Sequence, residues 1–419
     1  MQEPTAARPQ PLIFSADVVC PYACMALFEV EALAARLGLP LVFEPVLLGG
    51  LFRETGGADQ PTTTWNMAKA RHGFYDIRRQ AALRGLDFKL APGHPRRSVE
   101  AMRLVTAAPP SERLAIARTL ALAYHQDGRD LSDRALLAEV AEKHGVDIAR
   151  IDDQDVKDEL RAATATAAAA GAFGVPTFRL GESLWWGADR MALMEQMISG
   201  EAPQQPAPAA SGARVLRLTH DLSSPFSYIG VSVAAAIAAR HGVQLELRPV
   251  LLGALFRSIG TPEVPLFAMP EARRRWFARD LGEQADQQGV PFQFTSHFPV
   301  RTVTALRLCL LRPDLTLRLY QAVWMEDQNI GEDAVLLKLL EAWGEDGPAL
   351  LAAANDPALK AQLRENNAAA EQEGVFGVPT WQVDGGPPIW GVDRLPLLEA
   401  ILSGLDLAAL DAGADGSAA

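Results

Sequence analysis

The segment Pro45-Val-Leu-Leu-Gly-Gly-Leu-Phe-Arg53 is repeated 204 residues later as Pro249-Val-Leu-Leu-Gly-Ala-Leu-Phe-Arg257, with one mismatch. A second segment, Phe173-Gly-Val-Pro-Thr177, returns at nearly the same spacing as Phe376-Gly-Val-Pro-Thr380. The spacing is far longer than a solenoid repeat, and it matches the size of an ordinary domain. We therefore expect two copies of one domain in this chain.

Composition supports two folded domains and excludes several kinds of partner. Of the 419 residues, 49% are hydrophobic, so each half can bury a core of its own. The net charge of -12 argues against a nucleic-acid surface. No run of about 18 apolar residues is present, so we expect no membrane segment. The three cysteines are too few for a disulfide framework, and the histidines lack metal-site spacing, which predicts a cytoplasmic protein without a metal.

The order of elements predicts an α/β fold in each half. Apolar periodicity and the positions of Gly and Pro indicate strand, helix and strand, then a helical block, then a strand and a closing helix: residues 12–17, 21–37, 41–45, 65–170, 176–180 and 188–199. The predicted domains are 11–200 and 214–404, joined by a Pro/Ala linker at 201–213. Residues 405–419 are predicted to be a disordered tail.

The sharpest difference between the copies is Cys20 in the first and Ser224 in the second. Each follows a strand and precedes a Pro that opens a helix, so the positive helix N-terminus points at its side chain. That position predicts a lowered pKa for Cys20, and for Ser224 a hydroxyl that can donate to a bound thiolate. An equally simple interpretation makes Ser224 a helix cap and Cys20 a small buried residue.

Gly-Val-Pro-Thr in both copies is the second informative element. Alone, a Pro before a strand is most often an ordinary trans residue. Together with the strand–Cys/Ser–Pro–helix unit about 155 residues upstream, the chain resembles the thioredoxin-like fold with an inserted helical domain, as in the DsbA superfamily. More narrowly, it is similar to 2-hydroxychromene-2-carboxylate isomerase and kappa-class glutathione transferase. The fold class implied is two thioredoxin-like α/β domains, each with an inserted all-helical subdomain.

This resemblance implies a glutathione site, and its residues follow by motif. Ser224 would steady the glutathione thiolate. The backbone before a cis-proline would pair with the glutathione peptide. An Asp-Arg pair would hold its γ-glutamyl end, and a cation in the helical block would meet its glycine carboxylate. The implied residues are Val175, Pro176, Asp189, Arg190 and Lys69 in the first copy and Val378, Pro379, Asp393, Arg394 and Arg273 in the second.

The expected substrate is a small aromatic or unsaturated acid. The family often has Phe-Pro-x-Asn facing the substrate, but this chain has Arg97 and Arg301 at the last position. Two arginines would suit an anionic substrate. The leading prediction is a glutathione-dependent isomerase or transferase, with the two halves packed as an intramolecular pseudo-dimer. One alternative is a thiol–disulfide oxidoreductase using Cys20, where Cys24 stands one residue beyond the usual resolving position. Another is a catalytically dead protein that binds glutathione or a partner.

Overall fold

The computed structural model describes residues 10–57, 65–88, 91, 93–201, 212 and 214–415. Most of the predicted linker at 201–213 lies outside the described residues. The first repeat contains these elements: β1 Leu12–Ala16, α1 Pro21–Arg36, β2 Leu41–Pro45, α2 Leu48–Glu54, α3 Met67–Leu83, α4 Val99–Ala107, α5 Pro110–His125, α6 Arg134–Lys143, α7 Gln154–Ala169, β3 Thr177–Leu180, β4 Ser183–Trp186 and α8 Met191–Ser199.

The second repeat follows the same plan with two additional helices. Its elements are β5 Val215–His220, α9 Pro225–His241, β6 Gln244–Pro249, α10 Leu252–Ser258, α11 Glu271–Gln287, α12 Val303–Leu311, α13 Thr316–Trp324, α14 Asp333–Ala342, α15 Gly347–Ala354, α16 Pro357–Gln372, β7 Thr380–Val383, β8 Ile389–Trp390, α17 Leu395–Leu402 and α18 Leu407–Asp415. The prediction of a disordered tail is wrong over 407–415, because α18 forms there and buries Leu407 against the core. Across the residues that the structure describes, every helix is too short or too polar to span a bilayer.

Each repeat builds one mixed sheet of four strands. The strand order is β2-β1-β3-β4 in the first and β6-β5-β7-β8 in the second. The first two strands of each repeat are parallel because α1 or α9 crosses between them. The third strand pairs antiparallel with the first strand and with the fourth. Helices α2–α7 and α10–α16 are inserted between the second and third strands of each sheet's chain order, which is the thioredoxin-like arrangement that the resemblance implied.

The central strands are buried on both sides. In the first sheet Phe14 of β1 is fully buried and stacks on Phe178 of β3, with ring centroids 5.2 Å apart. In the second sheet the corresponding ring is Trp381 of β7, also fully buried. Burial of such large side chains is worth about 1.5–3 kcal/mol each and fixes the strand register. The register in turn places Cys20 and Ser224 just beyond the central strands.

The two compact units of the chain do not coincide with the two repeats. The first unit consists of Met1–Thr64, Ile77–Pro203 and Pro270–Trp276. The second consists of Trp65–Asp76, Gln204–Met269 and Phe277–Ala419. The start of α3 therefore belongs to the second unit, and the start of α11 belongs to the first. The sequence analysis predicted domains that follow the repeats and missed this exchange.

Candidate functional site

Ser224 is the N-cap residue of α9, the helix at the candidate site of the second unit. Its backbone is extended, its Oγ accepts a hydrogen bond from Ser227 N at 3.2 Å, and Pro225 opens α9. The same hydroxyl donates to the carbonyl of Val378 at 3.4 Å. That distance is long for a hydroxyl donor, so the proton is weakly engaged and can be redirected at little cost. Ser224 thus acts as a cap and also keeps a donor available beside the Val378 backbone.

Cys20 occupies the corresponding position in the first unit. Its thiol donates to the carbonyl of Val175 at 3.3 Å and makes no capping hydrogen bond. Burial raises the pKa of Cys20 to about 12. The backbone N–H groups of Ala23 and Tyr22 lower the pKa, whereas the charge of Asp17 adds to the increase. The prediction of a lowered pKa was wrong because the loss of solvation outweighs the donors of the helix N-terminus. Cys20 is a protonated thiol at neutral pH.

Cys24 does not form a disulfide with Cys20. Both cysteines are free, and Cys24 lies in the core of the first unit, where burial raises its pKa to about 12. With the C-x-x-x-C spacing, the Cys24 side chain lies in the core at 2% exposure. The first unit therefore lacks the exposed second thiol that dithiol exchange requires.

Two peptide bonds before proline face these side chains. Val175–Pro176 and Val378–Pro379 are both cis. The carbonyl of each proline accepts a hydrogen bond from the glycine of the following Trp-Gly pair, at 2.9 Å from Gly187 N and 3.0 Å from Gly391 N. The Trp-Gly-x-Asp-Arg motif is thus held directly beside the proline loop in both units.

The glycines of these loops are required by close approaches. A Cβ on Gly377 would lie 2.7 Å from the indole nitrogen of Trp390, and a Cβ on Gly174 would lie 2.6 Å from that of Trp186. Gly391 has a φ of +106°, and a Cβ there would lie 2.3 Å from an oxygen of Asp393. Only glycine allows the carboxylate to turn back over this bend.

Arg394 lies between two carboxylates in the second unit. Its Nε and Nη2 donate to the two oxygens of Asp76 at 2.7 and 2.8 Å, and its Nη1 lies 3.3 Å from an oxygen of Asp393. Arg394 and Asp76 are almost fully buried. Arg394 therefore joins the segment that carries Asp76 to the Trp-Gly-x-Asp-Arg motif.

The first unit has a different set of side chains around Arg190. Arg190 Nη1 lies 3.2 Å from Asp189 and its guanidinium stacks on Trp276, with 5.8 Å to the ring centroid. Arg273 stacks in turn on Trp186 at 5.6 Å. Arg273 therefore lies in the first unit, beside Trp186, whereas the sequence analysis assigned it to the site of the second copy.

Lys69 lies in the first repeat of the sequence but in the second compact unit, the reverse of Arg273. It belongs to the segment that completes the second unit, and its ammonium lies 5.0 Å from the centroid of the Trp65 ring. In the same segment His72 accepts a hydrogen bond from Trp390 N and packs against Phe376. The sequence analysis gave no role to Asp76 or His72. The sequence signal for Asp76 is its repetition as Asp280, 204 residues later.

Buried aspartates tie the helical block to the end of each central strand. Asp221 accepts hydrogen bonds from Ser223 N, Leu252 N and Thr302 Oγ1. Asp17 does the same through Val19 N, Leu48 N and Ser98 Oγ, and burial raises the pKa of both carboxyls. Arg97 and Arg301 directly precede the Ser98 and Thr302 of these networks, and both are exposed. The structure thus brings Arg301 to the strand end that carries Ser224.

Comparison with known proteins agrees with this fold. The sequence model of the DSBA-like thioredoxin domain family matches this chain twice, at residues 11–199 and at residues 216–403. Glutathione S-transferase kappa 1 of Rattus norvegicus is 29% identical over 208 residues, which are 45% of this chain and 91% of the relative. The 2-hydroxychromene-2-carboxylate isomerase of Sphingobium xenophagum is 29% identical over 194 residues, 43% of this chain and 94% of the relative. A solved structure of 2-hydroxychromene-2-carboxylate isomerase is 22% identical, with a TM-score of 0.41 over 45% of this chain and 94% of its own.

Proposed function

Because this chain belongs to the DSBA-like thioredoxin domain family, we propose that it is a glutathione-dependent isomerase or transferase of small aromatic or unsaturated acids. The observation that carries the proposal is the Ser224 hydroxyl, placed at a helix N-terminus and beside the Val378 carbonyl. The names of the two curated relatives, a glutathione transferase and an isomerase, support it. A cytoplasmic location and an intramolecular pseudo-dimer stay predictions.

The residues around Ser224 fit glutathione in their chemistry. The backbone of Val378, next to a cis-proline, suits pairing with a peptide bond. Carboxylate oxygens such as those of Asp76 and Asp393, which lie beside Arg394, suit the α-ammonium of a γ-glutamyl group. Lys69, in the same unit, suits a terminal carboxylate. When bound, glutathione supplies a thiolate for reversible addition to a conjugated double bond.

The protein's part in this reaction is electrostatic. Ser224 turns its proton from the Val378 carbonyl toward the incoming sulfur, while the N-terminus of α9 adds favourable potential for negative charge. Arg301 holds the substrate's carboxylate at the same strand end. Together these groups lower the pKa of the thiol and orient the reactants, and no cysteine of the chain is needed.

Replacing Ser224 with alanine tests this proposal. One hydrogen bond to a charged group is worth about 1.5–3 kcal/mol, so Ser224→Ala should slow glutathione-dependent turnover about 10- to 100-fold. The assay is the cis-to-trans isomerisation of an unsaturated aromatic acid, followed by absorbance with and without glutathione. Ser232→Ala, which removes a hydroxyl bonded to the Tyr228 carbonyl on the same helix, is the matched control. Unchanged turnover in Ser224→Ala would remove the basis for the proposal.

A second candidate function, thiol–disulfide exchange, rests on Cys20. Its thiol lies beside the Val175 carbonyl, as Ser224 lies beside that of Val378. The raised pKa of Cys20 weighs against it, because a protonated thiol is a poor nucleophile. Cys20→Ser distinguishes the two functions: it should abolish reduction of a mixed glutathione disulfide if exchange is the activity, and leave isomerisation intact if it is not.

A further inference from the structure

His72 and Asp76 stand four residues apart on α3, so their side chains lie on the same face of the helix. Asp76 accepts two hydrogen bonds from the guanidinium of Arg394. His72 accepts one from the backbone N–H of Trp390, at 3.3 Å. We call His72 and Asp76 the α3 clamp. The α3 clamp therefore holds both ends of the segment from Trp390 to Arg394.

The hydrogen bond to His72 lies at the outer edge of the second sheet. β8 is the last strand in the order β6-β5-β7-β8, so its outer side has no neighbouring strand within the described residues. The N–H of Trp390 donates there to His72, and the next N–H, that of Gly391, donates to the carbonyl of Pro379 at 3.0 Å. Two successive N–H groups thus bind α3 and the proline loop.

The ring of His72 packs against both of these parts of the second unit. It contacts the ring of Phe376 at a centroid distance of 5.1 Å and the ring of Trp390 at 6.4 Å, edge-on in each case. Phe376 stands two residues before Val378, whose carbonyl accepts the hydroxyl of Ser224. His72 is buried, with 8% exposure. It thus contacts the loop that carries Val378 as well as the segment that starts at Trp390.

The direction of the hydrogen bond fixes the protonation of His72. A backbone N–H can only donate, so Nε2 must offer its lone pair, and the ring is neutral with its proton on Nδ1. A second proton on the ring would occupy Nε2 and turn it into a donor that faces the N–H of Trp390. Histidine is the side chain that ordinarily gains a proton between about pH 5 and pH 8. Acid therefore removes the acceptor that holds Trp390.

The surroundings of His72 contain charges of both signs. The charged side chains on the elements that contact it are Lys69, Arg71 and Asp76 on α3, Glu373 before Phe376, and Asp393 and Arg394 after Trp390. Each of the three carboxylates is paired with an arginine. A protonated His72 would have to share one of these carboxylates, which lessens the compensation for the lost hydrogen bond.

Trp276 takes the place of His72 in the first unit, 204 residues further along the chain. Its indole contacts the ring of Trp186 edge-on at 5.2 Å and the guanidinium of Arg190 at 5.8 Å. An indole nitrogen donates and has no lone pair to offer. Trp276 therefore cannot accept the N–H of Trp186 as His72 accepts that of Trp390, and the two units differ here in a group that titrates.

We infer that His72 is a positioning residue of the second unit: its neutral ring holds the segment from Trp390 to Arg394 in place, and protonation of the ring releases that segment. The second unit then binds its ligand at neutral pH and loses affinity in acid, whereas Trp276 gives the first unit no ring nitrogen to titrate at this position. The identity of the ligand, glutathione, rests on the proposed function. The contact between His72 and Trp390 stands without it.

Hydrogen exchange at the Trp390 amide tests the inference in the full-length protein without a ligand. After correction for the intrinsic effect of pH, protection should fall about 5-fold from about pH 7.5 to about pH 5.5, because one hydrogen bond is lost. His72→Gln keeps an acceptor that does not titrate and should keep protection at both pH values, whereas His72→Phe keeps a ring without an acceptor and should lack protection at both. His297→Gln, which replaces an exposed histidine of the same unit, is the matched control and should respond like the wild type. Constant protection in the wild type, or wild-type protection in His72→Phe, would overturn the inference.

Calorimetric titration with glutathione connects His72 to the proposed function. The loss of affinity between the two pH values should be about 5-fold larger in the wild type than in His72→Gln, a comparison that cancels the ionisation of the ligand itself. Equal losses would overturn the part of His72 in binding. No glutathione binding at either pH would refute the proposed function and the acid sensitivity of binding together, whereas the exchange measurement decides the positioning of Trp390 independently.

Discussion

Replacing Asp76 with asparagine should destabilise the second unit, although Asp76 belongs to the first repeat. Asp76 is 4% exposed and forms a two-pronged ion pair with Arg394, which is 11% exposed. Breaking a buried pair costs about 3–5 kcal/mol because one charge loses its partner. Arg394 keeps Asp393, and asparagine can still accept one hydrogen bond, so we expect about 3 kcal/mol. In a unit of this size, that lowers Tm by about 6–12 °C.

Differential scanning calorimetry of the full-length protein measures this effect. Glu263→Gln is the matched control, since Glu263 pairs with Arg257 in the same unit but both side chains are exposed. An exposed pair contributes about 0.2–1 kcal/mol, so the control should shift Tm by only a few degrees. A double-mutant cycle with Arg394→Gln should give a coupling energy above about 0.5 kcal/mol. Equal shifts in Asp76→Asn and Glu263→Gln would refute the assignment of residues 65–76 to the second unit.

Because burial raises the pKa of Cys20 to about 12, iodoacetamide at pH 8 should label it far more slowly in the native than in the denatured protein; a native labelling midpoint below about 8.5 would contradict this. Gly391→Ala should lower Tm, as a Cβ there meets Asp393 at 2.3 Å and the backbone has a φ of +106°, whereas Gly253→Ala, with open space around it, should not. Burial lowers the pKa of His125 to about 3. As the pH falls, the unfolded chain therefore protonates His125 before the folded chain does. The contribution of neutral His125 to the unfolding free energy is fully present above about pH 6.5 and is lost as the pH falls toward 3. His125→Phe should flatten the fall in unfolding free energy across that window, and an unchanged slope in urea titrations would argue against a neutral His125.

The features that sequence could predict are local or repeated. The strand before Ser224, the proline that opens α9 and the Gly-Val-Pro-Thr loop each depend on neighbouring residues. The duplication then showed which of these positions to pair. These motifs carried the resemblance that implied two thioredoxin-like domains, and that fold is confirmed.

The features that failed depend on the three-dimensional surroundings. The direction of the Cys20 pKa shift is set by burial, which a helix N-terminus does not reveal. The placement of Asp76 and Arg273 depends on which unit each helix end packs against, and the periodicity of α3 is the same in either case.

The presence of Cys20 and Ser224 at equivalent positions of one chain also bears on how such a protein can evolve. In an assembly of identical subunits, one codon alters every site at once. Here the two helix N-termini are encoded separately, so a substitution at residue 20 leaves residue 224 as it was. The chain can therefore retain one established chemistry while the other copy acquires a different one.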